Sequence, residues 1–364
     1  MTCLSSLIGR IAPLAGEALK LLPPETAHRL TLQGLAAGLG PRFPAPDDPA
    51  LAQTLWGRRF ASPVGLAAGF DKNAEAMSGV LALGPGFLEI GAVTPRVQPG
   101  NPKPRVFRLS EDRAIVNRLG FNNQGMAAAA RRLRRWREAG GTGIVGVNLG
   151  ANKDSADRGA DFETVLSALW GLCDFYTVNV SSPNTERLRD LQGKEALSAL
   201  LSAMVARRAA LSAASGFDAP ILVKIAPDLS DGEIEDVAEA ALAAGIDGIV
   251  ATNTTLERPA TLRSPQAAEQ GGLSGAPLFD RSTEVLRRLA LRTEGKATLI
   301  GVGGVETGAQ ASAKIRAGAS LVQLYTGLVY RGPGVFHSIA QELSEILRRG
   351  GAQHIGDIIG ADLR

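Results

Sequence analysis

The feature that most limits how this chain can fold is a repeated alternation. Short apolar, β-branched runs fall at 64–67, 87–90, 144–148, 176–180, 221–225, 248–252, 299–302 and 321–325. Between most of them lie stretches with helical spacing, at 161–172, 194–213, 230–243, 283–291 and 309–317. Strands that are apolar on both faces belong to parallel sheets, whose neighbours are joined by helical crossovers. Eight such units over roughly 300 residues predict an α/β chain closed into a (β/α)8 TIM barrel. A doubly wound sheet is the alternative, but no GxGxxG follows the first run.

Length and composition are compatible with one large domain and an appendage, or with two domains. The chain has 364 residues, 45% hydrophobic and 21% charged, enough apolar content for a packed core. The net charge of +3 is dispersed, apart from Arg131, Arg132, Arg134, Arg135 and Arg137, which read as a solvated helix face. No nucleic-acid reading motif accompanies them, so no nucleic-acid partner is expected. Cys3 and Cys173 form no CxxC pair, and His28, His337 and His354 lack ligand spacing, so no metal site is expected.

Residues 1–44 stand apart. Leu4, Leu7, Ile8, Ile11, Leu14, Leu19 and Leu22 follow helical spacing, Pro23-Pro24 interrupts it, and a second helix is predicted over 25–39. This is a helical hairpin with one apolar face. No run reaches the ~18 to 20 apolar residues needed to cross a bilayer, and no secretory cleavage site follows. The face either packs on the main domain or dips into a membrane interface. Pro41 to Asp48 reads as a linker. The expected division is a helical segment at 1–44, a catalytic barrel at 45–350 and a tail at 351–364.

In a barrel of this kind the chemistry sits at the C-terminal ends of the strands. The fourth run passes into Asn179-Val180-Ser181-Ser182-Pro183-Asn184-Thr185, where two amides flank a hydroxyl. That pattern is either an Asn/Ser/Pro turn or a cup for a planar polar ring with a proton carrier. Other runs end the same way. The first leads to Ala68, Gly69, Phe70, Asp71 and Lys72, the second to Ala92, the third to Asn148, and the sixth to Thr252, Asn253 and Thr254. Lys224 lies inside an apolar strand and needs an anionic partner. The long segment after the second run carries Asn117, Arg118, Leu119, Gly120 and Phe121 and reads as a lid or binding element. Residues 271–275 read as a flexible glycine loop. Gly303, Gly304, Tyr325 and Thr326, after the last two runs, read either as two ordinary βα turns or as an anion nest suited to a phosphate, which the architecture favours. Phosphate at one side, amides beneath a ring and a buried lysine together suit flavin mononucleotide (FMN).

These motifs resemble the dihydroorotate dehydrogenases. The segments carrying the likeness begin at Leu66, Asn117, Asn179, Lys224 and Gly301, and it extends over nearly the whole chain. Serine at 182, where the soluble class carries cysteine, and the N-terminal helices resemble the quinone-linked class 2. The resemblance implies oxidation of dihydroorotate to orotate in pyrimidine biosynthesis, with FMN taking the hydride and ubiquinone or menaquinone as final acceptor. Ser182 is implied as the base at C5. Substrate would be held by Lys72, Asn117, Arg118, Leu119, Gly120, Phe121, Asn179, Asn184, Asn253 and Thr254. Flavin contacts are implied at Ala68, Gly69, Phe70, Asp71, Lys72, Ala92, Asn148, Asn179, Lys224, Thr252, Gly275, Gly304, Tyr325 and Thr326. Ala92 departs from relatives with threonine there. His28 and Arg108 match positions that meet the quinone head, although His28 also reads as a helix-surface histidine. The hairpin would rest on the cytoplasmic face of a bacterial inner membrane. A soluble acceptor (fumarate or NAD) is the alternative chemistry, and a non-catalytic phosphate-ligand module the alternative class. Removing residues 1–40 is expected to cost quinone reduction selectively.

Overall fold

The computed structural model describes residues 16–44, 46–184 and 188–363. Cys3, Thr185 and most of the first predicted helix lie outside the described residues; residues 16–20 are helical.

Eight parallel strands close on themselves. They are β1 (Val64–Leu66), β2 (Leu88–Val93), β3 (Val145–Leu149), β4 (Phe175–Asn179), β5 (Ile221–Ile225), β6 (Gly248–Ala251), β7 (Thr298–Val302) and β8 (Leu321–Leu324). Each pairs with the next in the chain, and β8 returns to β1, so the (β/α)8 expectation holds. Strands such as ILVKI and VGVNL are buried on both faces, as parallel strands under helices must be. The helices are cut by ordinary signals. Asp231–Ala244 starts at a capping box, where Ser230 N–H donates to Glu233 and Glu233 N–H to Ser230 Oγ, and stops at Gly245 with φ 73°. The helix Lys194–Ser215 is long and apolar enough to cross a membrane by composition alone. In this fold it is the crossover between β4 and β5, with Leu197, Leu200, Leu201 and Met204 buried.

Strand alternation sorts the barrel interior into layers. Phe87, Phe175, Leu222, Val250, Ile300 and Leu321 form a fully buried apolar floor. Two residues further along the same strands come Glu89, Thr177, Lys224, Thr252, Val302 and Gln323. The floor excludes water from below, and the polar layer faces the C-terminal rim.

The segment after β2 is not a plain lid. Val106–Leu109 and Ala114–Asn117 form an antiparallel hairpin, and Gly272–Gly275 adds to it as a third strand, with Gly272 opposite Asn117. The flexible loop expected at 271–275 is therefore a strand edge. Its composition looks like a loop, and only the long-range pairing makes it extended.

At the N-terminus, helix α1 (Pro24–Ala36) opens on a proline and buries only Ala27 and Leu35. Leu21, Leu22, Leu30 and Leu39 stay exposed. The helix seats on the short helix Met77–Leu81 so closely that any Cβ at Gly79 would collide with the Leu35 carbonyl. At the other end the chain is tied back: Ile355 is fully buried and His354 Nε2 donates to the Ala52 carbonyl at 2.5 Å.

Candidate active site

The rim opens into one cavity of ~1370 Å³, bounded below by the polar layer and on one side by α1. Single-ligand pockets usually measure about 300–1,000 Å³, so this one has room for more than one occupant.

Its base is a one-way chain of hydrogen bonds. Gln323 Nε2 and Asn148 Nδ2 both donate to the Glu89 carboxylate, at 2.5 and 2.7 Å. Asn179 Nδ2 donates to Asn148 Oδ1 at 2.8 Å. Ser181 Oγ donates to Asn179 Oδ1 at 2.8 Å, and Asn253 Nδ2 reaches Ser181 Oγ at 3.1 Å. Because Glu89 only accepts, every amide above it has one allowed orientation. Register sets Asn179 beside Lys224 and Gly91 beside Asn148. Lys224 is 5% exposed and lines the cavity. Among the described residues it makes no hydrogen bond or ion pair; burial lowers its pKa, and Glu89 is the charge that opposes the fall. An amine so placed is fitted to a polar partner entering from the cavity.

Another part of the cavity is built by three loops. Lys72 Nζ donates to Asn122 Oδ1 at 2.5 Å. Burial, with Arg105 nearby, pulls its amine down to about 7, and Glu25 works against that shift. Asn184 Nδ2 donates to Asn117 Oδ1 at 3.3 Å, and Ser182 Oγ accepts from Asn184 N–H at 3.3 Å. Ser182 is 5% exposed. Gly120 and Phe121 both have positive φ, 67° and 52°, the second a strained value that the surrounding bonds must hold. Gln98 Nε2 supplies one such bond, to the Gly120 carbonyl at 3.0 Å.

Opposite lies a bare cradle. Gly303 and Gly304 follow β7 with φ 120° and 73°. A Cβ on Gly304 would fall 2.6 Å from Phe279 Cα, and one on Gly303 2.6 Å from Ser282 Oγ. Thr326 Oγ1 meets Ser274 Oγ at 2.8 Å beside it. The phosphate of FMN fits this cradle, and its ring fits the amides and the Lys224 amine.

The third wall is α1. His28 Nε2 lies 2.7 Å from the Phe70 carbonyl, which only accepts, so Nε2 carries the proton. Nδ1 then accepts from Tyr325 Oη at 3.0 Å. The ring stacks on Phe70 at 5.1 Å. Burial, with Lys72 nearby, drives the His28 pKa down to about 4, so the imidazole is neutral. Arg108 donates to the carbonyls of Lys20 and Leu22 and so pins the end of the preceding helical stretch.

All the residues expected at the site line this cavity except Asp71 and Arg118. Asp71 is buried and caps its own loop, accepting from Glu75 and Ala76 N–H at 2.8 Å. The Arg118 side chain turns outward to Glu269 at 2.7 Å and covers Phe107. It directly follows the last residue of a strand, and alternation gives the inward position to Asn117. Sequence reasoning missed Glu89, Ser181 and Gln323. Glu89 carried the same signal as Lys224, a charge inside an apolar run.

The chain matches the family described as dihydroorotate dehydrogenase over residues 50–347. The quinone-type dihydroorotate dehydrogenase of Rhodospirillum rubrum is 52% identical over 94% of this chain and 92% of its own length. That of Cereibacter sphaeroides is 55% identical over 94% and 95%. A crystal structure of DHODH from Eimeria tenella in complex with ferulenol aligns with a TM-score of 0.90 at 41% identity, covering 94% of this chain and 96% of that one.

Proposed function

Since this chain belongs to the dihydroorotate dehydrogenase family, we propose that the cavity is where dihydroorotate is oxidised and a quinone receives the electrons. The protein is a flavin-dependent oxidoreductase of the quinone-linked type, with dihydroorotate and a quinone as its substrates.

The observation that carries the reading is the convergence of Lys72, Ser182 and Lys224 on one cavity, although 152 positions separate the first from the last (224 − 72). FMN, one per chain, would supply the two-electron acceptor for dihydroorotate at this cavity. Gly303, Gly304 and Thr326 would hold its phosphate, and Asn148 and Asn179 its ring. Lys224 would present its side-chain amine to that ring from the cavity wall. Lys72 takes the substrate carboxylate, and the amides of Asn117, Asn179, Asn184 and Asn253 fix the planar ring. Ser182 Oγ removes the C5 proton. A neutral hydroxyl is a weak base, so this step depends on passing its own proton onward.

The quinone enters beside α1, where the cavity wall is apolar and His28 and Arg108 lie. Exposed Leu21, Leu22, Leu30 and Leu39 support a segment resting on a lipid surface, read here as the cytoplasmic face of the bacterial inner membrane.

The test is anaerobic mixing of the flavin-loaded protein with dihydroorotate, then addition of a short-chain quinone, following flavin absorbance. Bleaching by the first reagent and recovery with the second is the expected result. Bleaching that fumarate or NAD reverses, and a quinone does not, would move the protein to a soluble-acceptor class.

A further inference from the structure

The N-terminal helix reaches past the quinone side of the cavity. Glu25, in the first turn of α1, forms a two-point ion pair with Arg105, at 2.7 Å to NH2 and 3.2 Å to Nε. The Arg105 side chain is only 7% exposed. Its remaining nitrogen donates to the carbonyls of Pro99 and Asn101, at 2.6 and 2.8 Å. Its own carbonyl accepts from Arg118 N–H at 2.9 Å. Asn101 Nδ2 extends the connection to the carbonyls of Arg118 and Asn184, at 2.9 and 3.3 Å. Glu25 is thus joined, through two side chains, to both loops that present Asn117, Ser182 and Asn184.

We propose that Glu25 and Arg105 are positioning residues for dihydroorotate, a strut by which α1 holds the substrate loops. The inference rests on the reading of this cavity as the dihydroorotate site. Arg105 is a buried cation whose only carboxylate partner among the described residues is Glu25. Without Glu25 it is an uncompensated charge beside Lys72, and the strand-to-loop segment it organises is free to shift. Lys72 is faced by Arg105 and Glu25, with Asn122 as its hydrogen-bond partner and His28 close by. Lys103 lies 3.6 Å from Glu25 on its outer side and is more than half exposed, so it is a poor substitute. Removal of residues 1–40 then strips the substrate half of the site as well as the quinone entrance.

The experiment compares the flavin-loaded wild type with Glu25→Gln, Arg105→Lys and the exchanged pair Glu25→Arg/Arg105→Glu. Orotate is titrated against the flavin absorbance change, and the two half-reactions are timed separately. Wild type that gives no flavin response to orotate or dihydroorotate would refute the assignment of the site itself. Given that response, Glu25→Gln is expected to weaken orotate about tenfold, the scale of one lost charge-assisted contact. Reoxidation by quinone should stay within about twofold. Arg105→Lys should act in the same direction, and the exchanged pair should recover part of the loss. Orotate affinity unchanged in both single variants overturns the strut, as does a loss confined to quinone reoxidation. Should Glu25→Gln fail to fold, Arg105→Lys, which keeps the charge and loses only the fork, decides by the same two readings.

Discussion

The cavity has two walls made by opposite means. The barrel wall is over-determined: Glu89, Asn148, Asn179 and Lys224 are each at most 5% exposed, and the amides are locked in series to one carboxylate. The α1 wall buries two side chains and is held by separate ties, at His28, Glu25 and Arg108. Under the proposed function the barrel wall orients a planar ring, which needs fixed dipoles, and the α1 wall admits an apolar molecule, which needs surface it can uncover. The two should therefore respond differently to damage.

The largest effect is expected at Ser182, the proposed base. Ser182→Ala should slow flavin reduction by dihydroorotate by about 10²–10⁴-fold while flavin content stays at wild-type level; stopped-flow absorbance measures both. Next is Glu89→Leu, which leaves two amide donors without their acceptor and removes the charge that opposes the fall in the Lys224 pKa. A loss of about 3–5 kcal/mol in denaturant unfolding is expected. A loss below 1 kcal/mol would show that the barrel wall is no more determined than the helix. Gly304→Ala places a methyl against Phe279 at a positive φ and should weaken flavin retention by about 1–3 kcal/mol, read by flavin release on dilution.

The pH response tests the seam between the walls. The Lys72 amine, held down to about 7, binds a carboxylate only as the ammonium. Orotate affinity should be flat below that pH and fall as pH rises through it, approaching tenfold per unit. In Lys72→Met the curve should be weaker and flat throughout. The smallest effect is expected on α1, where Leu30→Asp should change stability by under about 0.5 kcal/mol yet reduce partition onto lipid vesicles.

The barrel was legible in the sequence because apolar runs stop at polar residues, and those stops are the rim. Lys224 and the Asn–Ser–Asn cluster were visible for that reason. The third strand at Gly272–Gly275 was not, since it exists only through pairing with Ala114–Asn117, far away in the chain. Arg118 was taken with its neighbours because motif proximity ignores the side to which a strand residue points. The ties of α1 were hidden for a different reason: Glu25 and Arg105 look like ordinary surface charges until the fold brings them together.

The close seat of Leu35 on Gly79 has a consequence for the molecule as a whole. The gap between helix and barrel is set by the thickness of a hydrogen atom at residue 79. A single methyl there would act as a wedge between α1 and the helix Met77–Leu81, pushing that wall of the cavity outward from a position remote from Lys72, Ser182 and Lys224.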